Sequence, residues 1–179
     1  MVLLERNNET KVFDTKVDGE FVGMKLLEHS WWKNSFVNTI CKMIFENPAH
    51  IIWMGDYAND VIDENNSQLK EKYKKVWGEK VKSQGVKKDI LLLDGLYLVN
   101  HTKKEYINCD EYKKRCLTKD GWCIHPLPLM TALGNGQGGG DYFGQNEEIV
   151  GYWAGDEISI EKEPPEFAAI DEDVTFIEE

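Results

Sequence analysis

The chain has 179 residues, of which 41% are hydrophobic and 11% aromatic, and its formal net charge at pH 7 is −11. This length and hydrophobic content fit one folded domain with its own core and exclude a disordered chain. The sequence has no run of about eighteen apolar residues, so no membrane-spanning helix is expected. The excess of acidic residues argues against direct nucleic-acid binding, which depends on lysine and arginine neutralising phosphates.

The amino-terminal segment predicts strands and no export signal. MVLLERNNET has no basic stretch ahead of its apolar run, so no signal peptide is expected and the protein is predicted to be cytoplasmic. We therefore expect the four cysteines, at positions 41, 109, 116 and 123, to stay reduced. Two alternating apolar runs flank Asp18-Gly19 and predict a β-hairpin over residues 10–25.

The middle of the chain carries two helix signals and several strand signals. Ser30 is placed to cap a helix that runs to about Asn47, and HIIWM at 50–54 indicates a buried strand. Ser67 is placed to cap a second, lysine-rich helix that ends near Gly85. LYLVN and EYINC, joined by HTKK, predict a second hairpin.

The last third of the chain is expected to be mostly irregular, with strands near its end. A short helix is predicted over residues 110–117, and the prolines of WCIHPLPLMTAL favour an extended segment. IVGYWAGDEISIEKE indicates a pair of late strands. Together the elements predict a single globular α+β domain, 1–179, with an antiparallel or mixed sheet packed by two main helices. The hairpin at 10–25 and an acidic tail at 164–179 could be additions to that body.

The most unusual stretch is GNGQGGGDYFG, residues 134–144, which holds six glycines in eleven positions. Gly134, Gly136 and Gly139 satisfy the pattern G-x-G-x-x-G, but no helix signal follows them and no lysine follows to reach a phosphate. A dinucleotide site is therefore not indicated. The glycines predict either a sharply turned loop with positive φ or a backbone nest for an anion.

Four residues with the donor atoms of a zinc site lack its spacing. Cys109, Cys116, Cys123 and His125 follow C-x6-C-x6-C-x-H, whereas zinc sites usually contain C-x2-C pairs. We therefore predict no metal and no other cofactor.

Acid–base catalysis is a further alternative that the residue types leave open. His101 or His125 could work with Asp56 or Asp141, because histidine titrates near neutral pH. No nucleophile motif such as G-x-S-x-G accompanies them. No catalytic residue is assigned, and the sequence does not decide whether the protein is an enzyme.

Several blocks in order resemble a family of small, uncharacterised proteins from bacteria and their phages. The blocks are GMKLLEHSWW, IIWMGDYAND, YLVNHTKKEYI, IHPLPLMTALGNGQGGGDYFG and VGYWAGDEISIE. The resemblance covers roughly residues 23–163, and it implies a common surface and ligand site. The residues expected there are Asp56, Tyr57, His101, Lys103, His125, Asn135, Gly138, Gly139, Asp141 and Tyr142.

The leading functional hypothesis is a non-enzymatic acidic protein that binds a protein partner. The partner would be basic, for example a nucleic-acid-handling host defence enzyme such as a CRISPR nuclease, because acidic surfaces are attracted to basic channels. The alternative is a protein or enzyme that binds a nucleotide or other phosphate compound at the glycine-rich loop, with His101, Lys103 and Lys104 nearby. The sequence does not indicate the oligomeric state.

Overall fold

In the computed structural model, eight strands form one sheet. The structure describes residues 2–13, 25–55, 58, 93–116, 123–136, 139–144, 146–171 and 174. The strands are β1 (Val2–Arg6), β2 (Glu9–Phe13), β3 (Ala49–Met54), β4 (Tyr97–Asn100), β5 (Glu105–Asn108), β6 (Ala132–Leu133), β7 (Glu157–Glu161) and β8 (Ala168–Ala169). In the described residues the α-helices are α1 (Ser35–Met43), α2 (Cys109–Arg115) and α3 (Pro126–Thr131), and 3₁₀ helices span Leu26–His29 and Glu147–Ile149.

The sheet is mixed, as the α+β prediction allowed. Its strands follow the order β2-β1-β3-β7-β4-β5-β8, and β6 pairs with β3 outside this path. The pairs β3/β6 and β5/β8 are parallel, whereas the other pairs are antiparallel. The α+β class and the mixed sheet are thus confirmed, and the sheet dominates the architecture. No helix in the described part of the chain is long and apolar enough to cross a membrane.

A hairpin that was not predicted from the sequence forms at the amino terminus. Strand β2 pairs with β1 across Asn7-Asn8, whose φ angles are 51° and 62°. Two successive residues with positive φ suit a tight hairpin turn, and asparagine tolerates that conformation. The predicted turn, Asp18-Gly19, lies outside the described residues. Directly after the predicted hairpin, Leu26–His29 form a 3₁₀ helix.

Helix α1 confirms the first helix signal but has a different cap. The side-chain oxygen of Asn34, and not Ser30, accepts hydrogen bonds from the N–H groups of Phe36 (2.8 Å) and Val37 (3.3 Å). These bonds satisfy donors that have no partner within the helix. The second predicted helix, from Ser67 to Gly85, lies outside the described residues, so packing of two main helices is not shown.

Strand β3, the hairpin β4/β5 and the short helix α2 agree with the sequence patterns, but the proline-rich segment does not. It forms α3, because Pro126 and Pro128 fall in the first turn, where a missing N–H breaks no helical hydrogen bond. The first of the two late strands is also wrong. Residues 147–149 form the second 3₁₀ helix and residues 151–155 form turns. Of the two strands predicted for this segment, β7 is therefore the one that forms.

The core lies on both faces of β3, and side-chain alternation divides it. Ile51 and Trp53 point into the main core with Phe36 of α1, whereas Ile52 and Met54 belong to a small cluster on the opposite face. The main core is large and aromatic. Its largest fully buried side chains include Trp53, Trp153, Tyr112, Tyr142, Phe13 and Phe36.

The described part of the acidic tail packs on the body of the fold. Strand β8 pairs with β5, and the Asp171 side chain accepts a hydrogen bond from the N–H of Asn108 (3.1 Å). Arg115 donates to the carbonyl of Asp171, and Val174 is buried.

The cysteines divide into one disulfide and two buried thiols. Cys116 and Cys123 are disulfide-bonded with a Cα–Cα separation of 5.1 Å, so the expectation of four reduced cysteines is wrong for this pair. Cys41 and Cys109 are free and buried. Burial raises the pKa of the Cys109 thiol to about 12 and that of Cys41 well above its usual range, which keeps both thiols protonated.

Candidate functional site

Two of the sequence blocks meet at the end of the parallel pair β3/β6. Trp53 lies opposite Ala132 and Met54 opposite Leu133, so both strands end at the same level, and Gly55 donates a hydrogen bond to the carbonyl of Leu133. The carboxyl ends of parallel strands are where ligand-binding loops begin in α/β sheets. GDYAND therefore starts beside the glycine-rich loop. Asp56 and Tyr57 themselves lie outside the described residues.

Asn135 closes the glycine-rich loop. Its side-chain oxygen accepts from the N–H of Tyr142 (2.8 Å), and its amide nitrogen donates to the carbonyl of Tyr142 (3.2 Å). Gly134, just before this closure, and Gly136 and Gly140 inside it have φ angles of 86°, 85° and 94°. The predicted need for positive φ is thus confirmed at these three glycines, and Asn135 has a structural role. Gly138 lies outside the described residues.

A lysine from far upstream lies across the loop. The N–H of Leu27 donates to the carbonyl of Gly140 (2.9 Å), which brings Lys25 beside the glycines. A Cβ at Gly140 would lie 2.5 Å from Cδ of Lys25, and one at Gly139 would lie 3.8 Å from its Nζ. Lys25 thus supplies the cation that the sequence around the loop lacks. No local pattern could have revealed it.

Below the loop lies a buried polar and aromatic cluster. Asp141 and Tyr142 are almost fully buried, and so is His29, whose ring stacks on Trp53 at 5.8 Å. Burial raises the pKa of the Tyr142 hydroxyl, and a hydrogen bond with Ser30 opposes that shift. The structure therefore brings Asn135, Gly139, Asp141 and Tyr142 together, and it adds His29 and Lys25 to their surroundings.

His125 belongs to the core and caps α3. Its Nδ1 accepts from the N–H of Leu127 (3.0 Å), so the neutral ring carries its proton on Nε2, which faces Sγ of Cys41 at 3.6 Å. Burial lowers the pKa of His125 to about 3. At neutral pH the ring is therefore uncharged, buried and occupied at both nitrogens, which removes it from the expected ligand surface and from the acid–base alternative.

The four residues considered above for a zinc site have other roles in the structure. Cys116 and Cys123 are joined to each other, Cys109 is buried at the start of α2, and His125 caps α3. Among the described residues, no three His, Cys, Asp or Glu side chains are arranged to hold a metal ion.

His101 and Lys103 lie in a different hydrogen-bond network, at the β4–β5 turn. His101 Nε2 lies 2.7 Å from Oγ of Ser159, and Lys103 Nζ lies 2.8 Å from the Asp156 carboxylate. The ammonium of Lys104 lies 4.8 Å from the ring centre of Phe167. These turn residues thus pair with groups on β7 and its preceding turn, whereas Asn135 pairs with Tyr142 within the glycine-rich loop.

Exposed aromatic and acidic side chains on and around the 3₁₀ helix Glu147–Ile149 were not predicted from the sequence. Phe143 and Tyr152 are 53% and 48% exposed, and they are the large exposed hydrophobic side chains of the described residues. Glu147 and Glu148, which lie between these two residues in the sequence, are also exposed. Phe143 lies within about 14 Å of Glu147, because four residues cannot span more. We call Phe143, Glu147, Glu148 and Tyr152 the aromatic–acidic surface.

Tyr152 is held in place from several sides. Its hydroxyl lies 3.3 Å from Oε1 of Glu105, and the ammonium of Lys103 lies 5.0 Å from its ring centre. The neighbouring N–H groups, those of Gly151 and Trp153, donate to the carbonyls of Leu129 and Met130 in α3. These contacts restrain the exposed ring and the backbone that carries it. The block VGYWAGD contains this tyrosine, but its exposure cannot be deduced from the letters.

Comparison of the chain with protein-family models, curated proteins and solved structures finds no match.

Proposed function

We propose that the protein is a non-enzymatic acidic binding protein of bacterial or phage origin that acts through a basic protein partner. The observation that carries the proposal is the aromatic–acidic surface, whose exposed Phe143 and Tyr152 flank two exposed glutamates in the sequence. Protein interfaces are enriched in aromatic residues, and complementary charge speeds the encounter. The net charge of −11 favours a partner of opposite sign.

The fixed position of Tyr152 supports a binding role. An exposed aromatic side chain normally loses rotamer freedom when a partner covers it, and that loss weakens binding. Here Glu105 and Lys103 already restrain the ring. Tyr152 thus has the character of a preorganised anchor, and the glutamates between the aromatic residues provide the charge that attracts lysine and arginine.

The partner we propose is an enzyme that handles nucleic acid, such as a CRISPR nuclease of a host defence system. Such enzymes expose basic channels that attract acidic surfaces. The sequence blocks that resemble bacterial and phage proteins support this context, and a cytoplasmic location is part of the same proposal.

Salt-dependent capture with matched variants tests the proposal. We expect the tagged protein to retain one stoichiometric basic partner from host extract at about 50 mM salt and to release it near about 0.5 M, because salt screens charge attraction. Phe143→Ala/Tyr152→Ala should lose the partner. Thr10→Ala/Lys11→Ala, on the edge strand β2, is the control and should keep it. Equal retention by all three proteins, or retention by none, would reject the proposal.

A second candidate function is binding of an anionic small ligand, such as a nucleotide, at the glycine-rich loop. The observation that favours it is Lys25, which lies across Gly139 and Gly140 at the carboxyl ends of β3 and β6. The basic residues first expected there, His101, Lys103 and Lys104, belong to the β4–β5 turn instead.

A thermal-shift screen with inorganic phosphate, ATP and cyclic AMP tests this candidate. At a hundredfold excess over its dissociation constant, a ligand adds about 2.7 kcal/mol to the unfolding free energy, which is a shift of several degrees. Lys25→Gln should abolish the shift, and Lys103→Gln should leave it intact. Absence of any shift, or a shift that survives Lys25→Gln, would remove the candidate.

A further inference from the structure

The Cys116–Cys123 disulfide joins the end of α2 to the segment that precedes α3. Cys116 follows the last residue of α2, and Cys123 stands next to Ile124. The same two parts also meet through Tyr112 of α2, whose hydroxyl donates to the carbonyl of Ile124 (3.0 Å). Among the described residues, the disulfide and this hydrogen bond join the 123–125 segment to α2. The segment is also held by the N–H of Trp32, which donates to the carbonyl of Cys123 (2.8 Å), and by pairing of Trp31 with Ile124.

The 123–125 segment in turn holds the start of α3. The N–H of His125 donates to the carbonyl of Ser30 (2.7 Å), and its Nδ1 caps α3 through the N–H of Leu127. Capping by this ring requires that the 123–125 backbone stay in place. The position of the helix start therefore depends on the links that fix this segment.

Helix α3 is also the support of the turn that presents Tyr152. The carbonyls of Leu129 and Met130 accept from the N–H groups of Gly151 (2.9 Å) and Trp153 (2.7 Å), on either side of that tyrosine. A continuous set of contacts thus leads from the disulfide through the His125 cap and α3 to the exposed ring. These contacts connect the disulfide to the 151–153 turn, and the exchange experiment below measures the coupling between them.

We propose that the Cys116–Cys123 disulfide is a redox-controlled clasp that sets how firmly α3 and the 151–153 turn are held. A dithiol of the thioredoxin class supplies the two electrons. Its thiolate attacks Sγ of the half-buried Cys123, which breaks the disulfide and releases Cys116 as a thiolate that takes up a proton. The second thiol of the reductant then displaces Cys123 as a thiol, and the reductant leaves as a disulfide.

The placement of the free cysteines supports this assignment. Cys41 and Cys109 are fully buried, so the reaction is confined to the 116–123 pair among the cysteines. Disulfides in reducing compartments are usually transient or redox-sensing. That the clasp would regulate partner binding rests on the proposed function, whereas its effect on α3 and the turn does not.

Hydrogen–deuterium exchange of the purified protein tests the clasp without any partner. After reduction with dithiothreitol, the amides of Leu127, Gly151 and Trp153 should exchange roughly tenfold faster, because loss of a cross-link lowers the free energy of local opening. The amides of the β4–β7 pairing are the internal control and should not change. Equal exchange of the three amides before and after reduction would overturn the proposal.

Two variants make the outcome specific. Cys116→Ser/Cys123→Ser should show the fast exchange without any reductant. His125→Asn keeps an oxygen that can cap α3 but lacks the imidazole ring. In this variant Leu127 should still respond to reduction, whereas a response that extends to the β4–β7 amides would indicate general loosening and contradict the clasp. Mass spectrometry after alkylation of the native reduced protein should find a label at the half-buried Cys123 and none at the fully buried Cys41 and Cys109.

Discussion

Gly151 stands where the 151–155 turn touches the backbone of β6. A Cβ at this position would lie 2.3 Å from the carbonyl oxygen of Ala132, and the residue has a φ of +76°. Gly136 has a similar φ of +85°, but a Cβ there would meet no atom within 4 Å. Comparing alanine variants at these two glycines therefore separates the destabilisation caused by a steric clash from that caused by a left-handed backbone.

We predict that Gly151→Ala destabilises the protein much more than Gly136→Ala. The Gly136 variant should lose about 1 kcal/mol of unfolding free energy from its left-handed backbone alone. The Gly151 variant should lose about 3 kcal/mol or more, because backbone atoms must also move. Urea denaturation of both variants measures the difference, and equal losses would show that the turn does not pack on β6 as described.

His125 makes stability depend on pH. Its folded-state pKa of about 3 lies below the ordinary value of 6.5, so the unfolded chain takes up the proton first. Stability from this group is complete above about pH 6.5 and is lost as the pH falls toward 3. Between pH 7 and pH 5 the unfolding free energy should fall by about 2 kcal/mol from this residue alone.

The comparison with His125→Asn isolates that contribution, since His29, His50 and His101 remain in both proteins. Urea titrations at pH 7 and pH 5 give the loss for each protein, and the variant should lose about 2 kcal/mol less than the parent. An identical loss in both would mean that the imidazole is not kept neutral by burial.

Single residues could be interpreted from the sequence where their role is local. Positive φ at Gly134 and Gly136 follows from glycine chemistry within the loop. The roles of His125 and Lys25 could not be deduced, because Cys41 and Gly140, which they contact, are distant in the chain. Such roles depend on burial and on contacts between residues far apart in the chain, and the spacing of residue types predicts neither.

At the scale of elements, Asn34 decides where α1 begins. Replacing it with alanine should cost about 1 kcal/mol of unfolding free energy, because the N–H groups of Phe36 and Val37 lose their acceptor. Asn34→Asp keeps an oxygen in the same place and should stay close to the parent. Thermal and urea unfolding of the two variants provide the check, and a wild-type stability for the alanine variant would argue against the cap.

Elements with local signals were predictable, and elements that depend on tertiary context were not. The hairpin β4/β5 forms where its two alternating runs predicted it. Helix α3 was missed because proline usually breaks helices, and its capping depends on a buried histidine. The strand predicted before β7 does not form, because residues 151–155 bond to α3 and to β3 instead of extending along the sheet.

At the scale of the whole molecule, the sheet order determines which sequence blocks meet. The sequence indicated a mixed α+β sheet but could not give the pairing β3/β6, which joins strands far apart in the chain. That pairing brings the glycine-rich loop to the end of β3, while pairing of β4 with β7 draws His101 and Lys103 to Ser159 and Asp156.

The central claim is that a basic partner docks on Phe143 and Tyr152. It is based on the net charge of −11 and on the aromatic–acidic surface. Site-specific photo-crosslinking in the bacterial host tests it most directly, with benzoylphenylalanine at position 143 or 152 and at Thr10 as the control. We predict one adduct of defined mass from positions 143 and 152, with a basic protein, and none from Thr10. No adduct from the first two positions, or equal adducts from all three, would contradict the claim.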